Sequence, residues 1–342
     1  MSPRGAPPPS ASKVTPAERF AGDIAAALGR LPRGDAPLAL AVSGGADSMA
    51  MLALAAEAFP SAVIAATVDH QLRPGSADEA AMVAGWCAER AIPHATLTPA
   101  APIPRQGLQA GARAARYALL ARWAIDGRAA ALATAHHADD QAETFLMRAA
   151  RGSGIAGLRG IPRRRPLEVG EASLPLVRPL LGWRRAELRA IVTAAAIPFV
   201  DDPSNLDPAF ERVRVRALLA DQPWLDAAQI ARAAAHLSES DQEIEEMRAW
   251  LAEARRVASP PDQRWIDVAG LPRELRRRLA RGAIVATRHL AGIARPDFDP
   301  AANIEPLLDA LERGGAATQA GVLASPHGTV WRFAAAPPRR GH

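Results

Sequence analysis

The run Leu38-Ala-Leu-Ala-Val-Ser-Gly-Gly-Ala-Asp-Ser48 leaves this chain few folds. Its first five residues are apolar and read as a strand buried on both faces of a parallel sheet. Ser43-Gly44-Gly45 ends that run, and Met49-Ala-Met-Leu-Ala-Leu-Ala-Ala-Glu57 has the composition of a helix. Strand, glycine turn and helix in this order predict an open α/β fold. They also predict an anion seat. Two glycines let backbone N–H groups approach a ligand closely, and the start of a helix adds unpaired donors and about half a positive charge. Asp47 stands in that seat, where a carboxylate repels phosphate unless a cation lies between them; Mg²⁺ is the natural bridge.

Composition removes several alternatives. The chain has 342 residues, a length that suits two domains, and is 49% hydrophobic, enough for a sizeable core. Its one lysine is Lys13, near the start. The other common phosphate loop needs a lysine on the β/γ-phosphates, and both lysyl-adenylate and Schiff-base chemistry need one as nucleophile. The single cysteine, Cys87, lies in a helical pattern over 80–90 and reads as a small core residue. One cysteine supports no disulfide, no iron–sulfur ligand set and no four-cysteine zinc site. Residues 1–15 read as a disordered tail without an apolar signal core. No uninterrupted apolar segment reaches membrane-spanning length, so a cytoplasmic protein with no membrane partner is expected. Net charge is 0 over residues 1–150, +4 over 151–223 and +1 over 224–342. The basic surplus therefore sits in the middle, where it suits a polyanionic partner.

Further motifs follow in order. Residues 17–31 read as a first helix, and Ala62–Val68 as a second parallel strand that ends in Asp69-His70-Gln-Leu-Arg73. Ligands of open α/β sheets sit beyond the carboxyl ends of the strands, so Asp69, His70 and Arg73 share a rim with Ser43–Ser48. A helix over 76–91 has Ser76 as N-cap and Glu79 three residues on, a capping-box pattern. After a strand over 94–98, a helix over 107–126 carries Arg113, Arg116, Tyr117 and Leu120 on one face; its arginines either snorkel over a core edge or point at phosphate. A strand over 129–135 runs into His136-His137-Ala-Asp139-Asp140-Gln-Ala-Glu143-Thr144. His136 and Asp140 are four apart, and His137, Asp140 and Thr144 follow at helical spacing, so one face presents an imidazole with a carboxylate. Asp139 fits an N-cap. A di-metal hydrolase would explain this cluster but not the Ser-Gly-Gly turn.

A glycine-rich loop over 151–160, a turn-rich stretch to Pro175, a helix over 183–196 and a polar turn at 201–205 come next. Arg212, Arg214 and Arg216 then form a comb at alternate positions; extended or helical, it suits phosphate contacts, as does Arg178. From Trp224 the pattern turns helical, over 227–257, 271–291 and 304–313, and closes on a hairpin over 321–333. The division expected is a catalytic domain over 16–221 and a mainly helical domain over 222–342 that serves structure or RNA positioning.

Ser43-Gly-Gly-x-Asp47-Ser48 resembles the PP-loop of enzymes that split ATP into AMP and pyrophosphate. Six further motifs follow it in order: Val68-Asp-His-x-Leu-Arg73, Ala112-Arg113-x-x-Arg116-Tyr117, Ala135-His-His-x-Asp-Asp140-Gln-x-Glu-Thr144, Arg151-Gly-x-Gly-x-x-Gly157-Leu, Asp202-Pro-Ser-Asn205 and Arg212–Arg216. Over about residues 16–220 the set resembles the tRNA(Ile)-lysidine synthases. That resemblance implies an open, mostly parallel α/β domain of the PP-loop superfamily with a C-terminal domain. It implies an ATP-dependent ligase that joins free L-lysine to C2 of the wobble cytidine of the CAU-anticodon isoleucine tRNA, through an adenylated cytidine. ATP and Mg²⁺ come with it. Ser43, Gly44, Gly45, Ala46, Asp47, Ser48, Asp69 and His70 would bind the nucleotide, Asp47 and Asp140 the metal. Arg113 or Arg116 would neutralise the α-phosphate or the adenylated intermediate, and His136, His137 or Asp140 would deprotonate lysine. Arg178, Arg212, Arg214, Arg216 and the C-terminal domain would grip the tRNA backbone; a homodimer is left open. A tRNA thiolase that uses an iron–sulfur cluster or a persulfide needs several cysteines. An RNA-binding module without catalysis explains the arginines but not 136–144.

Overall fold

The computed structural model describes residues 14–69, 75–99, 108–201, 209–299 and 302–337, without the side chains of 108–110 and 112–114. It divides into two compact units, one ending at Ser238 and one starting at Glu239. The break in composition near 222 precedes this boundary, because the first half of a long helix, α9 (Ala227–Ala254), buries Ala231 and Ala234.

The first unit is built on a six-stranded sheet. Its strands are β1 (Leu38–Ala41), β2 (Val63–Val68), β3 (His94–Leu97), β4 (Ala131–Ala133), β5 (Arg164–Val169) and β6 (Ala172–Val177), in the order β3-β2-β1-β4-β6-β5. All pairings are parallel except that of β5 with β6. Side chains alternate across a strand, so β1 serves two cores. Leu38 and Leu40 pack with Phe20 of α1 (Pro16–Leu28), Met49 and Met51 of α2 (Ala46–Ala58), Val83 of α3 (Ser76–Ala88) and Leu188 of α7 (Arg185–Ala194). Ala39 faces the other way, to Tyr117, Leu120 and Ala124 of α4 (Leu108–Asp126). Helix α2 buries Met49, Ala50, Met51, Leu52, Leu54 and Ala55. A helix that is apolar nearly all round belongs in a core, and this one holds the glycine turn rigidly at the end of β1.

The chain leaves β1 for β2 on one side, while β4 lies on the other. Their carboxyl ends therefore diverge, and this switch point is where open α/β sheets bind ligands. The Ser43–Ser48 loop follows β1, and His136–Thr144 follows β4 as the start of α5 (Ala138–Ala149).

Two local expectations are corrected. The stretch 163–175 is the β5–β6 hairpin, not a run of turns. Its prolines are paired with each other, Pro166 opposite Pro175, and β6 joins β4 only at Leu176 and Val177, beyond its proline. Prolines are tolerated where no ladder donor is required. Helix α3 is capped by Gly75 at φ +94°, and Ser76 is its first helical residue. The expected tail falls mostly on residues outside those described, as do His70, Arg73 and most of the polar turn at 201–205.

The second unit contains the end of α9, α10 (Arg273–Leu290), α11 (Glu305–Glu312) and a five-stranded antiparallel sheet. Its strands are β7 (Arg256–Val257), β8 (Arg264–Asp267), β9 (Ala317–Gln319), β10 (Val322–His327) and β11 (Val330–Ala335), in the order β7-β8-β11-β10-β9. The helices lie close to their expected spans, except that the end of the helix expected over 227–257 is strand β7 at Arg256–Val257, and the closing hairpin is part of a larger sheet. Ile266, Leu279, Ile284, Leu308, Trp331 and Phe333 form its core. Among the described residues no helix is long and apolar enough to cross a membrane.

Candidate active site

The loop after β1 is shaped by serines and glycines. Gly44 has φ +84°, and a Cβ there would lie 3.4 Å from the Met82 side chain. A residue with a side chain would be strained at that φ. The Ser43 backbone N–H donates to Ser48 Oγ at 3.1 Å, and Ser48 Oγ–H donates to the Gly45 carbonyl at 2.9 Å. Ser48 thus ties the loop to the first turn of α2. Its N-cap, Gly45, offers no side-chain cap, so the leading amides of α2 are left for a ligand to meet. The Val200 N–H donates to the Gly44 carbonyl at 2.9 Å and fixes the loop from behind.

Across the switch point, His137 rather than Asp139 caps α5. Its Nδ1 accepts the Asp140 N–H at 3.3 Å, and its own N–H donates to Asp140 Oδ2 at 3.1 Å. The cap requires an unprotonated Nδ1, so the proton of the neutral ring is on Nε2. Nε2 faces Asp47 Oδ2 at 3.4 Å and Asp140 Oδ2 at 3.6 Å. Burial opposes the imidazolium, but the hydrogen bond to Asp47 and the charges of Asp140, Asp47 and Asp139 outweigh it and hold His137 above the usual histidine value. Burial likewise works against ionised Asp140; His137, His136, Arg212 and the His137 N–H nevertheless hold it below the usual carboxylate range. Asp139 turns away from the site. It receives Arg184 through Nε and Nη2 at 3.1–3.3 Å and the Arg185 N–H at 2.8 Å, joining the starts of α5 and α7.

Asp47 and Asp140 therefore meet at one imidazole, from two different elements. Among the described residues, Asp47 Oδ1 is buried without a hydrogen-bond partner. A buried carboxylate oxygen left open, beside a second carboxylate, suits a hard divalent cation. No group of three or more His, Cys, Asp or Glu among the described residues is arranged to hold a metal alone. Such an ion would thus take much of its shell from water and substrate phosphates, as Mg²⁺ commonly does.

A cavity of about 620 Å³ opens at this point. Ser43, Gly45, Asp47, Ser48, Arg116, His136, Asp140 and Arg212 line it, all of them singled out in the sequence. Ala41, Ala66, Val68, Tyr117 and Leu120, which belong to one apolar cluster, also line it. Thr67 and Thr134 also line the cavity and were missed. Nothing local marks them, because their partners, His94 and His136, are met only through the fold or through a ring rotamer. Asp69 is buried at the end of β2, its N–H donating to the Leu97 carbonyl. Arg113 lies on α4, its side chain outside those described.

The expected arginine grip is redistributed. Arg178 is buried, and its Nη1 donates to the Pro162 carbonyl at 2.6 Å. It braces the hairpin from within, and a tRNA phosphate has no route to it. The comb is helical, on α8 (Glu211–Asp221), so the three side chains separate. Arg212 and Arg216, four residues apart, both meet the buried Glu143, at 3.1 and 2.8 Å. Burial lifts the Glu143 carboxyl above its usual range despite Arg216 and Arg212. Arg214 is exposed and donates to the Ala209 carbonyl at 3.1 Å.

Comparison with known proteins agrees with this geometry. Residues 16–222 match the PP-loop domain family model. A tRNA(Ile)-lysidine synthase from Zymomonas mobilis is 43% identical over 307 residues, which cover 89% of this chain and 89% of the relative. One from Novosphingobium aromaticivorans is 43% identical over 306 residues, 88% of this chain and 89% of that protein. Among solved structures, the U34-tRNA thiolase NcsA from Methanococcus maripaludis matches with a TM-score of 0.51 at 18% identity, over 65% of this chain and 79% of that one. That likeness is one of fold. Matched by the PP-loop model over residues 16–222 and by lysidine synthases over 88–89% of its length, the chain belongs to the tRNA(Ile)-lysidine synthase family of PP-loop proteins.

Proposed function

We propose that this chain ligates free L-lysine, through its side-chain amine, to C2 of the wobble cytidine at position 34 of the CAU-anticodon isoleucine tRNA, converting ATP to AMP and pyrophosphate. The observation that carries this reading is the meeting of Asp47, from the glycine turn, with Asp140, from the cluster after β4, at the mouth of one cavity. ATP use follows from the PP-loop family.

The chemistry has two parts. The C2 oxygen of cytosine is a poor leaving group; its attack on the α-phosphate of ATP makes it part of AMP and releases pyrophosphate. The amides of the Ser43–Ser48 turn and the start of α2 receive the departing charge as preorganised dipoles. Asp47 and Asp140 would hold Mg²⁺, which supplies charge neutralisation on the phosphates. Arg116, which lines the cavity, would neutralise the α-phosphate, and the apolar lining would take the adenine. In the second part lysine attacks C2, and its ammonium must first lose a proton.

Three candidates for that base differ in support. His137 is nearly sealed, at 4% exposure of its side chain, with Nδ1 in the cap and Nε2 on the two carboxylates. Asp140, its carboxyl held below the usual carboxylate range by His137, His136 and Arg212 against burial, is a weak base and would hold the metal. His136 lines the cavity, and it is assigned the base. Arg214 and the second unit would contact the tRNA backbone, and the protein would work in the cytoplasm beside its three substrates. A cluster-dependent thiolase lacks support: Cys87 stands alone and buried, its thiol pushed up to about 11 mainly by burial.

The test is mass spectrometry of CAU-anticodon isoleucine tRNA after incubation with the protein, ATP and lysine. A nucleoside heavier by one lysine less one water is expected at position 34. Unmodified cytidine, or a gain of sulfur, would refute the proposal.

A further inference from the structure

His136 and His137 are neighbours held by different partners. The His137 Nδ1 accepts a backbone N–H, while the His136 Nδ1 lies 3.0 Å from Thr134 Oγ1. Thr134 directly follows β4 and is 8% exposed. Its own N–H donates to the Val177 carbonyl of β6 at 3.1 Å. A β-branched side chain on a pinned backbone has little rotamer freedom, so its hydroxyl is a fixed point at the floor of the cavity, which both residues line.

We propose that Thr134 is the positioning residue for the second half-reaction, its Oγ1 accepting Nδ1–H of His136 and so fixing the tautomer whose Nε2 is a base. The inference rests on the assignment of His136 as base above. With the Thr134 hydroxyl proton directed away from the ring, its oxygen aims His136 as a carbonyl or carboxylate orients a working histidine. Nε2 takes one proton from the lysine ε-ammonium and becomes an imidazolium that keeps its Nδ1–H on Thr134. The freed amine lone pair forms the C–N bond at C2; the C2–O bond breaks, and its electrons leave with AMP. The proton on Nε2 then passes to solvent. Thr134 touches neither lysine nor the reacting carbon. The two histidines are thereby set in opposite tautomers, one by a hydroxyl and one by a helix cap.

The experiment uses full-length protein labelled with ¹⁵N-histidine, the His136 signals being assigned by their loss in His136→Gln. His136 is expected with Nδ1 protonated and Nε2 unprotonated, and with mixed tautomers in Thr134→Val. In turnover with CAU-anticodon tRNA, ATP and lysine, Thr134→Val should lower kcat about 10–100-fold, with KM for ATP within about twofold. Thr134→Ser, which keeps the hydroxyl, should restore most of that loss. An Nε2-protonated His136 in the wild type, equal kinetics for the valine and serine variants, or a loss carried by KM for ATP would each overturn the inference. Full lysine transfer by His136→Gln would instead overturn the base assignment. An inactive His136→Gln beside a fully active Thr134→Val would sink the role of Thr134 alone.

Discussion

Helix α10 and the cavity of the first unit treat charge in opposite ways. In the second unit Arg273 meets Glu305, Asp309 and Glu312; Arg277 meets Glu274 and Glu305; and Arg278 meets Asp241 and Glu274. These arginines are therefore matched by carboxylates of their own and neighbouring helices. In the first unit Asp47 and Asp140 are pressed towards each other around one histidine, and Asp47 keeps a buried oxygen without a partner. Structure is served by pairing charges. A site is marked by charges left unmatched for a ligand, at some cost to the fold.

The comparison breaks most readily at Asp47. Asp47→Ala should reduce lysidine formation on the order of a thousandfold, the several kcal/mol that lost charge neutralisation removes. Its melting temperature should stay within about 2 °C of the wild type or rise, because a crowded carboxylate has been removed. A calorimetric scan and a turnover assay read both; a marked drop in melting temperature would mean Asp47 belongs to the scaffold. Asp241→Ala should show the reverse. Arg278 and Asp241 are both buried, but Glu274 still meets Arg278 at 2.8 Å. The loss should therefore be about 2–3 kcal/mol in urea unfolding, below what a fully stranded charge costs. Activity per folded molecule should not change.

A third variant separates scaffold from site within the first unit. Gly160 has φ +71°, and a Cβ there would lie 2.2 Å from Gln141 Oε1. Gln141 holds both the Ile161 N–H and the Ile161 carbonyl, and Arg148 holds the Gly157 and Gly160 carbonyls. Gly160→Ala should cost about 2–3 kcal/mol, from the left-handed backbone and displaced hydrogen bonds together. Its kcat should fall only in proportion to unfolded protein. The smallest effect is expected at the arginines. Arg214→Ala should lower the salt slope of tRNA binding by about 1, whereas Arg178→Ala should leave the slope unchanged and reduce stability alone. Equal slopes for both would remove Arg214 from the RNA surface.

Much of this was legible in the chain because it is local. A strand, a glycine turn and a helix announce themselves over eleven residues, and the 136–144 cluster stands out by its density of ionisable groups. What stayed hidden depends on distance. Glu143 meets Arg212 and Arg216 across some seventy positions, so in the sequence alone the comb has no visible partner. The β5–β6 hairpin carries arginines and prolines that read as turns, since an edge strand need not show an apolar run. In the second unit β7 is two residues long, too short for any periodicity. The identity of the α5 cap turned on a ring nitrogen, which residue type alone does not reveal.

The central claim is that the glycine turn after β1 cleaves ATP between its α- and β-phosphorus atoms, with the α-phosphate passing to RNA. The direct measurement is ATP labelled at the α-phosphorus, incubated with this protein and CAU-anticodon isoleucine tRNA, first without lysine and then with it. Label should appear on the tRNA with release of unlabelled pyrophosphate, and lysine should discharge it as AMP. Labelled ADP, or tRNA that never acquires label while lysidine forms, would contradict the account.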